Sequence, residues 1–292
     1  MDVIRSEVLG FCMGVRRATE LAVEEAKKAK ANNERIYTLG PLIHNPQTLA
    51  ELKNLGVEIL DEKNCLKENE KAAVVVRAHG TGRKEEKKLI DSGYRIIDAT
   101  CPKVKAVQLK AQELAKEGFF IFLAGDAEHA EIKGILGYIE DEGNPRHAVI
   151  GTEAQAREAA ESLYKTDSKA KTALLGQTTI REEEYLKIGE EIKKYFLNLE
   201  IVNTICAAAA ERQKALRKML DNADAVIIAG GKESANTRIL FEIAKETGKP
   251  CVLAESARDI PDIFHTFQTV GISAGASTPD SVISEIELEL QR

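Results

Sequence analysis

The chain has 292 residues, 43% of them apolar and 30% charged, with a formal net charge of −6. This length is too great for one small core and suits two or three compact units, and the composition excludes a disordered chain. The acidic balance lacks the basic footprint of a nucleic-acid-binding protein, so no nucleic-acid partner is expected, although a local pocket can still take an anion. No apolar run approaches the roughly 20 residues that span a bilayer. The opening MDVIRSEVLGFCMG has no apolar stretch behind a basic start, as a signal peptide would. The expectation is therefore a cytoplasmic protein without a membrane segment. Its 5 cysteines are odd in number and widely spaced, unlike a secreted disulfide framework, and a reducing compartment follows.

Apolar residues at steps of three and four predict a first helix over Val15–Lys30. A β-rich run at Ala72–Ala78 precedes a helix at Val104–Lys116, followed by strands at Phe119–Ala124 and Thr172–Gly176. Helices at Glu182–Tyr195 and Glu211–Asp221, a strand at Ala225–Ala229 and a helix at Asp280–Leu290 complete the series. Strand and helix in alternation give an α/β chain with mainly parallel sheets. Periodicity puts boundaries near residues 98 and 203, giving three similar α/β units at 1–98, 99–203 and 204–292.

Cys12, Cys101 and Cys206 lie 89 and 105 residues apart, about one unit each. Each follows a short strand-like run and precedes a helix, the junction where α/β sheets place ligands. The next polar group of each unit, His44, His129 and Ser234, follows its cysteine by 32, 28 and 28 residues. Such repetition points to three cysteines converging on one centre. Three thiolates suit a soft metal. A zinc ion with a fourth ligand is one reading, although no two of these cysteines are paired as CxxC. An iron–sulfur cluster with one iron left open for a substrate oxygen is another, and three buried thiols without a ligand are the bland alternative. Cys65, in a charged stretch, and Cys251, at a strand start, lie outside the pattern and are expected to be surface or core thiols.

His44, His79 and His129 fall at equivalent strand-to-loop junctions, as one shared site requires; His147 and His265 show no such setting. GGKESANT, with Ser234 and Asn236, and GASTP, with Ser277, are glycine-rich turns that open helices, where backbone N–H groups and hydroxyls bind phosphate; they read equally as plain caps. Thr178 in GQTTI is a site hydroxyl or a helix cap. Glu131, two residues after His129, is a proton donor if buried, or an ordinary first-turn glutamate favoured by the helix dipole.

Taken together, GFCMGVRRA, IHN, AHG, DATCPKV, GDAEHAEIKG, GQTT, NTICAAAAERQ, GGKESANT and ISAGAS resemble, in order and over nearly the whole chain, the motifs of the 4-hydroxy-3-methylbut-2-enyl diphosphate reductases, which catalyse the last step of non-mevalonate isoprenoid synthesis. The resemblance implies a trefoil of three α/β units around a central [4Fe-4S] cluster bound by Cys12, Cys101 and Cys206, its fourth iron taking the allylic hydroxyl. It implies that His44, His79, His129, Ser234, Asn236 and Ser277 hold the diphosphate, with Thr178 near the hydroxyl end. Glu131 would deliver protons in a two-electron, two-proton reduction fed by a donor such as ferredoxin or flavodoxin, giving isopentenyl and dimethylallyl diphosphates. The sequence departs from the family pattern at Ala235, where a second serine is common, at Ala209, where threonine is usual, and at Ala130, where proline is common. A zinc hydrolase or hydratase and a non-catalytic iron–sulfur sensor are the competing readings of the same residues.

Overall fold

The computed structural model describes residues 1–61, 71–143 and 146–292, and Cys65 lies outside the described residues. Among them the chain forms three four-stranded sheets, and every strand pair with a defined register is parallel, as the alternating sequence pattern predicts. Contacts divide the chain into two compact units that do not follow chain order. One contains Met1–Asn32, Gly40–Ile59 and Ala207–Arg292; the other contains Asn33–Leu39 and Leu60–Cys206. No described helix is long and apolar enough to cross a membrane.

In the first unit the chain's opening strand β1 (Asp2–Arg5) completes a sheet made by its last third. It runs beside β12 (Thr269–Ala274), which pairs with β10 (Ala225–Ala229), which pairs with β11 (Cys251–Ala254). Strand β10, AVIIA, is buried along its whole length, as a parallel strand covered on both faces must be. Alternation then divides its side chains. Ala225, Ile227 and Ala229 pack with helix α10 (Asp280–Leu290), whereas Val226 and Ile228 pack with α8 (Ala207–Leu220) and α9 (Ala235–Glu246). This unit also holds α1 (Met13–Ala31), α2 (Pro46–Asn54) and β3 (Val57–Ile59).

In the second unit β4 (Ala72–Val76) lies between β2 (Arg35–Leu39) and β5 (Arg95–Asp98), with α3 (Arg83–Asp91) connecting β4 to β5. A second sheet has the order β7 (His147–Ile150), β6 (Phe120–Ala124), β8 (Thr172–Gly176), β9 (Glu200–Ile201). Ile121 and Leu123 of β6 pack on α4 (Pro102–Lys116) and α5 (Ala130–Asp141). Phe122 packs on α6 (Glu153–Thr166) and α7 (Glu182–Lys193). Helices α3 and α5 touch where Gly82 meets Gly137: a Cβ on Gly137 would stand 2.5 Å from the Gly82 Cα, so a side chain there would force the helices apart.

One buried hydroxyl ties the far edge of this sheet together. The Tyr185 hydroxyl, on α7, lies 2.8 Å from the Leu174 carbonyl and 2.7 Å from that of Val202, and burial pushes its ionisation well above the ordinary tyrosine value. Val202 leads through Thr204, whose hydroxyl accepts the Gly176 N–H at 2.8 Å, to Cys206. Tyr185→Phe removes the hydroxyl from the buried Leu174 carbonyl and the part-buried Val202 carbonyl, so it should cost about 1–3 kcal/mol. In urea denaturation the midpoint should fall while the slope stays constant.

Candidate functional site

In the first unit Cys12 caps α1: its sulfur accepts the Val15 N–H at 3.4 Å, and its own N–H donates to the Ala276 carbonyl at 3.1 Å. The loop before it is fastened by Arg212, a residue 3% exposed, whose guanidinium donates to the Gly10 carbonyl at 2.7 Å and to the Ala208 carbonyl at 2.8 Å. Sequence reading missed this arginine because its target is a backbone atom 202 residues away.

The polar residues of the glycine-rich turns meet in the same unit. Ser234 caps α9, accepting the Thr237 N–H at 3.4 Å, so the helix start predicted for GGKESANT is present. The Ser277 hydroxyl lies 3.4 Å from the Ser234 hydroxyl and 3.4 Å from the His44 carbonyl. His44 precedes Asn45, which caps α2 by accepting the Thr48 N–H at 2.9 Å. Gly231 permits this closeness: a Cβ there would lie 2.2 Å from the His44 carbonyl oxygen. Asn236, in the first turn of α9, is 5% exposed, and neither its amide nitrogen nor its amide oxygen meets a partner among the described residues. A buried amide without partners costs about 1–3 kcal/mol, a cost a polar ligand would offset.

In the second unit the remaining candidates form one connected series. Cys101 caps α4, and its N–H donates to the Ala78 carbonyl at 3.0 Å, next to His79. The His79 ring stands edge-on to that of His129, with centroids 5.2 Å apart. His129 caps α5, its Nδ1 accepting the Glu131 N–H at 3.2 Å. Glu131 is 2% exposed and aims its carboxylate at Thr178: Oε1 accepts the Thr178 N–H at 2.6 Å, and Oε2 accepts the Thr178 hydroxyl at 3.0 Å. The Thr178 carbonyl in turn accepts the Cys206 N–H at 2.8 Å, immediately before α8. Burial pushes the Glu131 carboxyl up to about 7, against the opposing pull of the two Thr178 hydrogen bonds. Glu131 is therefore no exposed first-turn glutamate, and Thr178 is bound to it rather than capping α7, whose cap is Arg181.

The other titratable candidates have structural settings. Cys251 opens β11, packs against the apolar cluster of α8 and α9, and has its thiol pushed up by burial. His147 opens β7, and His265 lies in a short 3-10 turn. Gln177, which sequence reading passed over, accepts the Asp126 N–H at 3.2 Å and so fixes the loop leading to His129.

A cysteine at or directly before a helix start, three times in one chain and never in a disulfide, suits an anionic metal–sulfur group, because the helix dipole favours negative charge there. The Glu131–Thr178 pair offers a proton at neutral pH, and Asn236 with Ser234 and Ser277 offers donors to an anion.

Comparison with known proteins identifies the relatives of the whole chain. The chain is 41% identical over 292 residues to the 4-hydroxy-3-methylbut-2-enyl diphosphate reductase of Treponema denticola, covering 99% of each chain. It is 38% identical to the enzyme of the same name from Aquifex aeolicus, covering 100% of this chain and 96% of that one. A solved structure of (E)-4-hydroxy-3-methyl-but-2-enyl diphosphate reductase, the terminal enzyme of the non-mevalonate pathway, matches with a TM-score of 0.70 at 38% identity, over 100% of this chain and 99% of that one. The E-1-hydroxy-2-methyl-but-2-enyl-4-diphosphate reductase of Plasmodium falciparum shares the fold, with a TM-score of 0.88 at 24% identity, over 100% and 88% of the two chains. The family model described as LytB protein matches residues 3–291, and the chain belongs to that family.

Proposed function

We propose that this chain reduces 4-hydroxy-3-methylbut-2-enyl diphosphate, taking up two electrons and two protons, releasing the allylic hydroxyl as water and yielding isopentenyl and dimethylallyl diphosphates. Membership of the LytB family, with relatives of that name over the whole length, supports the substrate. The observation that carries the chemistry is the Glu131 carboxyl, buried and held on Thr178, a proton source near neutral pH.

Cys12, Cys101 and Cys206 would hold a [4Fe-4S] cluster, which when bound would supply the electrons and a Lewis-acidic iron with an open position. The chain's own residues do the rest. Asn236, Ser234 and Ser277, with the α9 helix start behind them, take the diphosphate, and His44, His79 and His129 contribute to the same task. An anchored diphosphate fixes the allylic end of a five-carbon chain, turning a diffusive encounter into a positioned one. Thr178 lies at the hydroxyl end and orients Glu131, which delivers two protons in turn, one to the departing oxygen and one to the allylic carbon, taking up a fresh proton after each. The electrons come from a reduced ferredoxin or flavodoxin, and a reducing cytoplasm keeps the three cysteines as thiols. The donor set favours a cluster over zinc because three cysteines distant in sequence, with no CxxC pair, are atypical of structural zinc.

A donor must carry its proton, so turnover should be full below about pH 7 and fall as pH rises through that value. Glu131→Gln should lower kcat roughly 10²- to 10⁴-fold and remove the pH-dependent limb, with the cluster spectrum and product affinity retained; wild-type turnover in this variant would remove Glu131 from the reaction. The carboxyl sits above its ordinary value of 4.5 in the folded protein. Its protonated form therefore contributes stability that is complete below about 4.5 and lost as pH rises through about 7. Denaturation midpoints should accordingly show Glu131→Gln gaining on the wild type across that window.

Asn236→Ala should weaken isopentenyl diphosphate binding by about 10-fold or more, measured by calorimetry, because one to two hydrogen bonds to a charged group are lost. The ligand-free protein should lose no stability, since the amide it removes has no partner among the described residues. Unchanged affinity would place the diphosphate elsewhere.

A further inference from the structure

We infer that a groove on α3, α4 and α5 is the docking surface for a small acidic electron-transfer protein. The inference rests on the reductase reading above, which requires a donor but does not say where it binds. The groove has a volume of about 660 Å³ and is lined by Arg83, Lys84, Lys87, Lys105, Ile90 and Tyr138, with Glu86 and Asp141 as its two carboxylates.

Three properties support this assignment. The first is charge. The chain as a whole carries −6 and repels an acidic partner, so productive docking needs a local patch of opposite sign to steer the encounter. The second is availability. Some helical lysines are tied to carboxylates three or four residues away, as Lys28 is to Glu24 and Glu25, and Lys165 to Glu161. Arg83, Lys84 and Lys87 have no carboxylate partner among the described residues. Glu85, beside them, turns instead to the Thr81 hydroxyl, and Arg83 lies over the Tyr138 ring, 5.1 Å from its centroid. These cations line the groove together with Ile90, a large apolar side chain 54% exposed. Arginine, tyrosine and an exposed aliphatic residue inside a charged rim is the make-up of a protein-binding patch.

The third is position. Lys105 closes one end of the groove through bonds to the Asp98 carboxylate at 3.0 Å and the Tyr138 hydroxyl at 2.8 Å. Its backbone N–H donates to the Cys101 carbonyl at 2.9 Å. The groove therefore starts one helical turn, about 6 Å along the axis, from a proposed cluster ligand. Helix α3, which carries the three cations, begins four residues after His79. A protein seated here delivers electrons singly, two per substrate, beside Cys101, and is itself oxidised by one electron on each visit.

The test compares two reductants on the cluster-loaded enzyme. Reduced methyl viologen, which needs no docking, tests the reductase reading: absence of turnover with it would overturn that reading regardless of the groove. Reduced flavodoxin, a small acidic flavin protein, tests the groove. The Lys84→Glu, Lys87→Glu variant leaves the Arg83–Tyr138 contact in place, and its kcat/KM for flavodoxin should fall about 10-fold or more at low salt, with methyl viologen turnover unchanged. Wild-type kcat/KM for flavodoxin should also decline steeply with ionic strength, and that of the variant much less. Lys84→Ala, Lys87→Ala should show the same pattern more weakly. Equal loss with both reductants, flavodoxin kinetics identical to wild type, or tripolyphosphate binding at the groove without competition against flavodoxin would each overturn the assignment.

Discussion

A carboxyl buried to 2% exposure has to be neutralised or held by donors, and at Glu131 both happen through one neighbour. Thr178 gives its backbone N–H and its hydroxyl to the carboxylate while its carbonyl takes the Cys206 N–H. Position 178 is thus fixed from both sides: the acid determines where the end of β8 lies, and the end of β8 determines where Cys206 begins its helix. On the other flank the Glu131 N–H is taken by His129, whose ring meets His79, one residue beyond the carbonyl that receives Cys101. Two cysteines, two histidines and the acid of this unit consequently share one polar network. In a low-dielectric setting the members of such a network reinforce one another, and a change that keeps an acceptor for the Thr178 N–H, as Glu131→Gln does, leaves the frame in place.

The sheets explain why so much chemistry can gather at loops. Every strand pair with a defined register is parallel, so within each sheet the paired strands end along one edge, where α/β sheets gather their functional loops. The cores beneath are built of Val, Ile, Leu, Ala and Phe in strict alternation, facing helices on both sides. Close approaches of backbone, at Gly231 over His44 and at Gly82 against Gly137, allow the loops and helices to come nearer than side chains would permit.

Much of this was legible in the sequence where a single physical cause acts locally. Strands β8 and β10 lie at the residues predicted, since runs buried on both faces are continuously apolar. Helices α7 and α10 start where expected, whereas three others start earlier for local reasons. Helix α1 begins at Met13 because Cys12 caps it, and α4 at Pro102 because proline suits a first helical position. Helix α8 begins at Ala207 rather than Glu211 because a run of alanines has high helix propensity but no amphipathic pattern. Strand β4 stops at Val76, short of Ala78, where the chain turns toward Gly80, whose φ of +73° only glycine adopts readily. The repeated cysteine-before-helix junction was visible because it recurs. What lay beyond sequence was long-range: the pairing of β1 with β12, the grip of Arg212 on Gly10, and the partner of Glu131 at position 178. Burial of one glutamate separates a proton donor from a helix cap, and burial is a property of the packed chain.

The ionisation of that glutamate is the quantity that tests the account most directly. Infrared titration of protein labelled with ¹³C-glutamate, compared with Glu131→Gln to assign the band, follows the protonated carboxyl itself and needs no turnover. The account predicts a carbonyl stretch that disappears with a midpoint near pH 7 and is missing from the variant. A Glu131 band that titrates near the ordinary carboxyl value of 4.5 would contradict it, because the group would then hold no proton to give at neutral pH.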